Sequence, residues 1–233
     1  PERIKNIQWN KTKDFFDYRN SDSLISVFDV NNLLQYTISL DQINRDLDAE
    51  EKMSKLPTIN WLNTHSFMFK NNKKYYIHNT QRGEKTSFLF QLESNASHTE
   101  FNNQNNRCAY TIDNNLYVVN TDNQHINLTN EENKNIIFGQ AVHRYEFGIY
   151  KGTFWSNNGD QIAFYRKDES MVTDYPLMNT SSRVGHADII KYPMAGMSSH
   201  QVLLGVYNFN TNKTIYINTG EPQEQYLTNI SWG

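Results

Sequence analysis

The sequence is short of most residues that would give its chemistry away. It has a single cysteine, Cys108, so no disulfide can close within the chain. That thiol sits in the strand-like run Arg107-Cys108-Ala109-Tyr110-Thr111-Ile112, where a buried, inert role is expected. Lys and Arg are scattered and the formal net charge is −3, which argues against nucleic acid or an anionic membrane as the main partner. No apolar run approaches the roughly 18 residues of a membrane span. The opening, Pro1-Glu2-Arg3, has neither an initiator Met nor a signal-peptide pattern, so a leader is expected to have been removed. The seven His show no metal-ligand spacing, and Asp168-Glu169 with Asp174 lacks the alternating acidic loop of a calcium site. No metal and no cofactor are therefore expected, and these acids are read as turn caps or partners of nearby basic groups. No G-x-S-x-G elbow occurs, and Ser199-His200 lacks the surrounding pattern, so no catalytic residue is expected in this stretch.

Helical periodicity is scarce too. Only 41–55, DQINRDLDAEEKMSK, could wind, and its charge predicts a solvated connection with a helical turn or two. Elsewhere apolar or alternating runs of four to eight residues recur between polar turns. They fall into sets: 23–29 with 33–40; 59–69, 74–78 and 87–92; 99–101, 107–112, 115–120 and 125–129; then 152–155, 162–165, 201–209, 213–218 and 225–228. With ten Gly and five Pro but about one residue in seven Asn, Asn is expected to make many of the turns.

The sets resemble one another. Each offers an aromatic, a polar turn and a small apolar strand, with the aromatics at Trp61, Phe101 and Trp155, and Trp232 opening another copy. The spacing of about 40 to 55 residues is that of four-stranded propeller blades. The longer gap before Trp232 predicts an insertion at 173–197. The expected fold is all-β: a partial β-propeller of four-stranded antiparallel blades, four to five of them, with an open sheet edge that needs covering. A sandwich of similar short strands is the competing architecture.

One stretch carries the best candidate site. Gly152-Thr153-Phe154-Trp155 and Ile162-Ala163-Phe164-Tyr165 read as a hairpin closed through Asn158-Gly159. Just ahead lies Tyr145-Glu146-Phe147-Gly148, unusually apolar for a loop. A carboxylate shielded by Tyr145 and Phe147 suits a small, hard cation such as a peptide's α-ammonium, in a charge-assisted bond worth about 1.5–3 kcal/mol. On residues alone the plainer reading leads, with Glu146 an ordinary exposed carboxylate or the partner of Arg144 or Lys151.

Residues 152–156, 163–166, 168–177 and 191–197, with 108–111 and 114–118, resemble the N-terminal propeller of the dipeptidyl peptidase IV family, and within it the bacterial prolyl tripeptidyl peptidases. The likeness is dense from 105 to 232 and weakest between 65 and 97. It implies that 1–233 is the N-terminal part of a longer serine exopeptidase, in which an eight-bladed propeller is joined to an α/β-hydrolase domain. That enzyme would release X-X-Pro tripeptides or X-Pro dipeptides, with the propeller gating entry and gripping the substrate's free N-terminus. Dipeptidyl members use a Glu-Glu pair for that grip. The matching segment here, His143-Arg144-Tyr145-Glu146-Phe147-Gly148, has one Glu, which suits the tripeptidyl type better. Glu146 is then the expected amine anchor, with Arg144, Tyr145 and Phe147 as pocket lining. Further implications are peptide substrates with proline near a free amine, a homodimer formed through the arm between Tyr175-Pro176 and Tyr192-Pro193, and a periplasmic or secreted bacterial location. The rival reading, from another class, is a non-catalytic propeller that docks protein partners.

Overall fold

Asn does the work that Gly leaves undone. Asn32, Asn72, Asn106 and Asn212 sit in hairpin turns with φ of 62°, 54°, 52° and 54°. This left-handed region costs most L-residues about 1–2 kcal/mol, and Asn tolerates it best after Gly. In the 156–160 turn only Gly159 is left-handed (φ 74°). Asn158 works there through its side chain, whose Oδ1 accepts from Ser156 Oγ at 2.8 Å and from the Asp160 N–H at 3.2 Å.

The computed structural model describes residues 7–10, 14–81, 83–221 and 223–233; the Pro1-Glu2-Arg3 opening lies outside them. The fold is all-β, a partial β-propeller of four-stranded antiparallel blades. The chain divides into two compact units, Pro1–Ser94 with Thr121–Asn123, and Asn95–Asn120 with Gln124–Gly233.

In the first unit, β1 (Gln8–Trp9), β2 (Phe15–Ser21), β3 (Leu24–Asp29) and β4 (Leu34–Ser39) form one sheet in chain order. A second follows from β5 (Ile59–Asn63), β6 (Ser66–Asn71), β7 (Lys74–Asn79) and β8 (Lys85–Gln91). Ile25, Val27 and Ile38 of the first sheet share a buried cluster with Ile59, Trp61, Phe67 and Phe69 of the second. The connection between them is less solvated than its charge suggests. Helix α1 (Leu40–Asn44) starts from a capping box in which Ser39 and Gln42 bond each other's backbone N–H, and a 3-10 turn follows at Ala49–Glu51. Ile43 and Leu47 drop into the core at 0% and 7% exposure, so this segment fills the space between sheets.

In the second unit, β9 (Ser97–Asn102), β10 (Arg107–Ile112), β11 (Asn115–Val119) and β12 (His125–Asn127) form the third sheet. The fourth contains β13 (Ile136–Phe138), β14 (Thr153–Trp155), β15 (Gln161–Asp168), β18 (Gln201–Asn208) and β19 (Lys213–Tyr216). Between β15 and β18 the insertion forms a separate two-stranded arm, β16 (Asp174–Asn179) and β17 (His186–Lys191). Residues 225–228, expected to be a strand, have no strand pairing. Ala109, Leu116 and Val118 of the third sheet pack with Phe138, Ile162, Phe164 and Tyr207 of the fourth. Cys108 is fully buried.

The repeat-marking tryptophans have a shared function. Trp61 Nε1 donates to Asp17 Oδ2 at 2.7 Å, Trp155 Nε1 to the Glu100 carbonyl at 3.2 Å and Trp232 Nε1 to the Phe154 carbonyl at 3.1 Å. Each indole reaches back to a strand of an earlier sheet. Phe101, at this place in the third repeat, has no ring donor.

Candidate functional site

The loop from β13 to β14 is fixed at both ends and exposed between them. Val142 and Ile149 are 1% and 4% exposed and pack with Tyr165 and Val202. Tyr165 donates its hydroxyl to the Leu227 carbonyl at 2.6 Å, and burial pushes that phenol above the usual tyrosine range. Between these anchors the backbone is strained. His143, Tyr145, Phe147 and Gly148 all have left-handed φ, from 51° to 75°. A bulky residue in that region costs of order 1–3 kcal/mol and persists only where its surroundings impose it. Here a 3-10 turn, His143–Tyr145, is continued by the Glu146 N–H on the His143 carbonyl and the Ile149 N–H on the Glu146 carbonyl, both at 3.0 Å.

The outcome is a presented carboxylate. Glu146 is exposed, and no ion pair joins it to another described side chain. Lys151, one of its alternative expected partners, is taken by Glu100, whose other oxygen accepts from Thr153 Oγ1 at 2.6 Å. The side chain of Arg144 lies outside the described residues. Tyr145 and Glu146 line a cavity of about 580 Å³. Phe147 stands off its wall, 59% exposed, with its ring 4.7 Å from that of Tyr226.

The cavity lies within the second unit. Beside the loop it is walled by Lys167 and Glu169 at the end of β15, by Ile189, Ile190 and Lys191 of the arm, and by His200 and Tyr226. Lys167 and Glu169 pair at 2.8 Å, as do Lys191 and Asp174 at 2.9 Å. Asp168 caps its turn by accepting from the Ser170 N–H at 3.0 Å. Against burial, that cap and Arg166 hold its carboxyl below the usual range. Glu146 is thus a carboxylate without an ion-pair partner among the described side chains, on the rim of a pocket of peptide-end size.

Residues that no spacing had linked also meet here. His143 and His200, 57 positions apart, have ring nitrogens within 3.1 Å. No group of three or more His, Cys, Asp or Glu among the described residues could hold a metal ion. No described helix is long and apolar enough to cross a membrane.

Comparison with known proteins adds the lineage. A crystal structure from Bacteroides ovatus, assigned as a dipeptidyl aminopeptidase IV, is 39% identical and superposes with a TM-score of 0.85, over 99% of this chain and 32% of that one. Porphyromonas gingivalis dipeptidyl peptidase 4 shares the fold, with a TM-score of 0.68 at 19% identity, over 95% of this chain and 33% of that one. Among curated proteins, a probable dipeptidyl-aminopeptidase B from Phaeosphaeria nodorum is 28% identical over 172 residues, 66% of this chain and 19% of its own length. The chain therefore spans about a fifth of that relative and a third of the solved structures. The dipeptidyl peptidase IV (DPP IV) N-terminal region matches residues 55–233, and with that match the chain belongs to this family.

Proposed function

We propose that this chain is the propeller part of a proline-specific serine exopeptidase and that Glu146 seats the free α-amine of the peptide. The observation that carries this reading is Glu146 itself, an exposed carboxylate on a strained loop at the mouth of a cavity. A fixed distance between such an anchor and a nucleophile elsewhere in the protein acts as a ruler, setting how many residues leave with each cut. The single Glu favours tripeptide release, and the names of the relatives favour dipeptide release. The same reading assigns 1–233 to an N-terminal propeller portion followed by a hydrolase domain, dimerisation to the arm, and an exported, bacterial setting. Its test is Glu146→Gln in the complete protein. The expected outcome is a loss of about tenfold or more in kcat/KM on free-amine peptides, carried mainly by KM. Equal turnover by wild type and variant would remove the assigned role.

A further inference from the structure

His200 Nε2 lies 3.1 Å from His143 Nδ1, with ring centroids 4.7 Å apart. His143 opens the turn that ends at Glu146, and its carbonyl accepts from the Glu146 N–H. His200 immediately precedes β18, where the chain returns from the arm. The pair therefore ties the carboxylate's loop to the rigid sheet. The His143 ring also meets Tyr226, edge to face, at 4.5 Å.

The protons on this pair are constrained. His143 Nε2 is buried with no hydrogen-bond partner among the described residues. An N–H there would be a buried donor without a protein acceptor, a cost of about 1–3 kcal/mol. One proton lies between His143 Nδ1 and His200 Nε2, whichever ring donates it. Protonating His143 sets its Nδ1–H against the His200 N–H in one tautomer and places an N–H on the buried nitrogen in the other.

The charges facing the pair come from several elements. Glu146 on the loop favours a cation at His143, and Lys167 on β15 opposes it. Glu169 beyond β15 is engaged by Lys167, Lys191 of the arm by Asp174, and Tyr145 and Tyr226 complete the wall. Burial first, then Lys167, hold His143 below the usual histidine range against the pull of Glu146.

We propose that the neutral His143–His200 pair positions Glu146, so that the grip on a peptide's amine weakens as the pair takes up a proton in mildly acid solution. This rests on Glu146 being the amine anchor. The sign follows from the favoured form. A neutral imidazole stabilised in the fold is fully effective above the ordinary histidine value of about 6.5, and its contribution is lost as pH falls. The substrate amine, with an ordinary pKa near 7.7–8.0, is almost fully charged below pH 6.5, and its partial deprotonation near pH 7.5 would by itself make KM fall towards acid, opposite to the rise expected here.

The test is KM against pH, from 7.5 to 5.5, for a free-amine peptide and the complete protein. Wild-type KM should rise about fivefold or more towards acid. His200→Gln puts an amide beside His143 that does not titrate and can donate or accept. Whatever its KM at pH 7.5, its acid rise should fall below about twofold, while kcat keeps its own profile in both. His143→Asn, which tolerates the left-handed φ, should raise KM at every pH. A flat wild-type KM, or an unchanged acid rise in His200→Gln, overturns the proposal; the wild-type profile decides even if a variant fails to fold. A Glu146→Gln variant indistinguishable from wild type at pH 7.5 overturns the anchor instead, which separates the two failures.

Discussion

Two antiparallel ladders sit side by side in the fourth sheet's stretch of chain and differ in almost everything except pairing. β15 and β18 run in register from Gln161↔Asn208 to Asp168↔Gln201, and β16 and β17 from Asp174↔Lys191 to Asn179↔His186. In the first ladder Ile162, Ala163, Phe164 and Tyr165 are all buried. In the second, Met178 and Ile189 are 72% and 60% exposed. Hydrogen-bonded pairing is equal in kind, so the difference lies in what each face meets. An isolated two-stranded hairpin is marginal in water. The arm is stitched at its base, where Lys191 Nζ reaches Asp174 and the Val172 carbonyl and the Tyr175 and Tyr192 rings approach to 5.5 Å. Stability belongs to the first ladder, and the second is free to serve as a wall or a contact surface.

Three substitutions grade this contrast by urea unfolding. Phe164→Ala, a fully buried ring in the cluster shared by the third and fourth sheets, should cost about 3–5 kcal/mol. Gly205→Ala, directly opposite in register, would set a Cβ 2.7 Å from Phe164 Cζ and should cost about 1–3 kcal/mol. In the Phe164→Ala background that second penalty should shrink, because the clashing ring is gone. Met178→Ala on the arm should change stability by less than about 0.5 kcal/mol. A loss there as large as at Phe164 would erase the distinction between the ladders.

Much of this was legible in the sequence, and the gaps have physical causes. The hairpin of β14 and β15 was readable from its aromatics and Asn-Gly turn, and the insertion from the stretched repeat. β2 is hard to read from sequence because Phe15–Ser21 carries Asp17 and Arg19 among its aromatics. Asp17 is buried at 5% exposure because a Trp61 donor, 44 positions away, receives it. Burial outweighs that bond and the nearby Arg19, and pushes its carboxyl above the usual range. Ile43 and Leu47 looked too few to matter, yet Ile43 on α1 and Leu47 just beyond its end both turn into the same buried cluster. Around Glu146, alternating left-handed residues turn Tyr145 and Phe147 to different surroundings, which no propensity scale encodes. The His143–His200 contact left no trace in spacing at all.

The three indole N–H bonds described above point one way: acceptor earlier in the chain, donor later. During synthesis from the N-terminus each acceptor leaves the ribosome first and must wait while some 44 to 78 further residues emerge before its latch can close. Every sheet so fastened waits on a later stretch of chain, so a ribosome stalled partway leaves the newest sheet unbolted, and that sheet is where chaperones or proteases would find purchase.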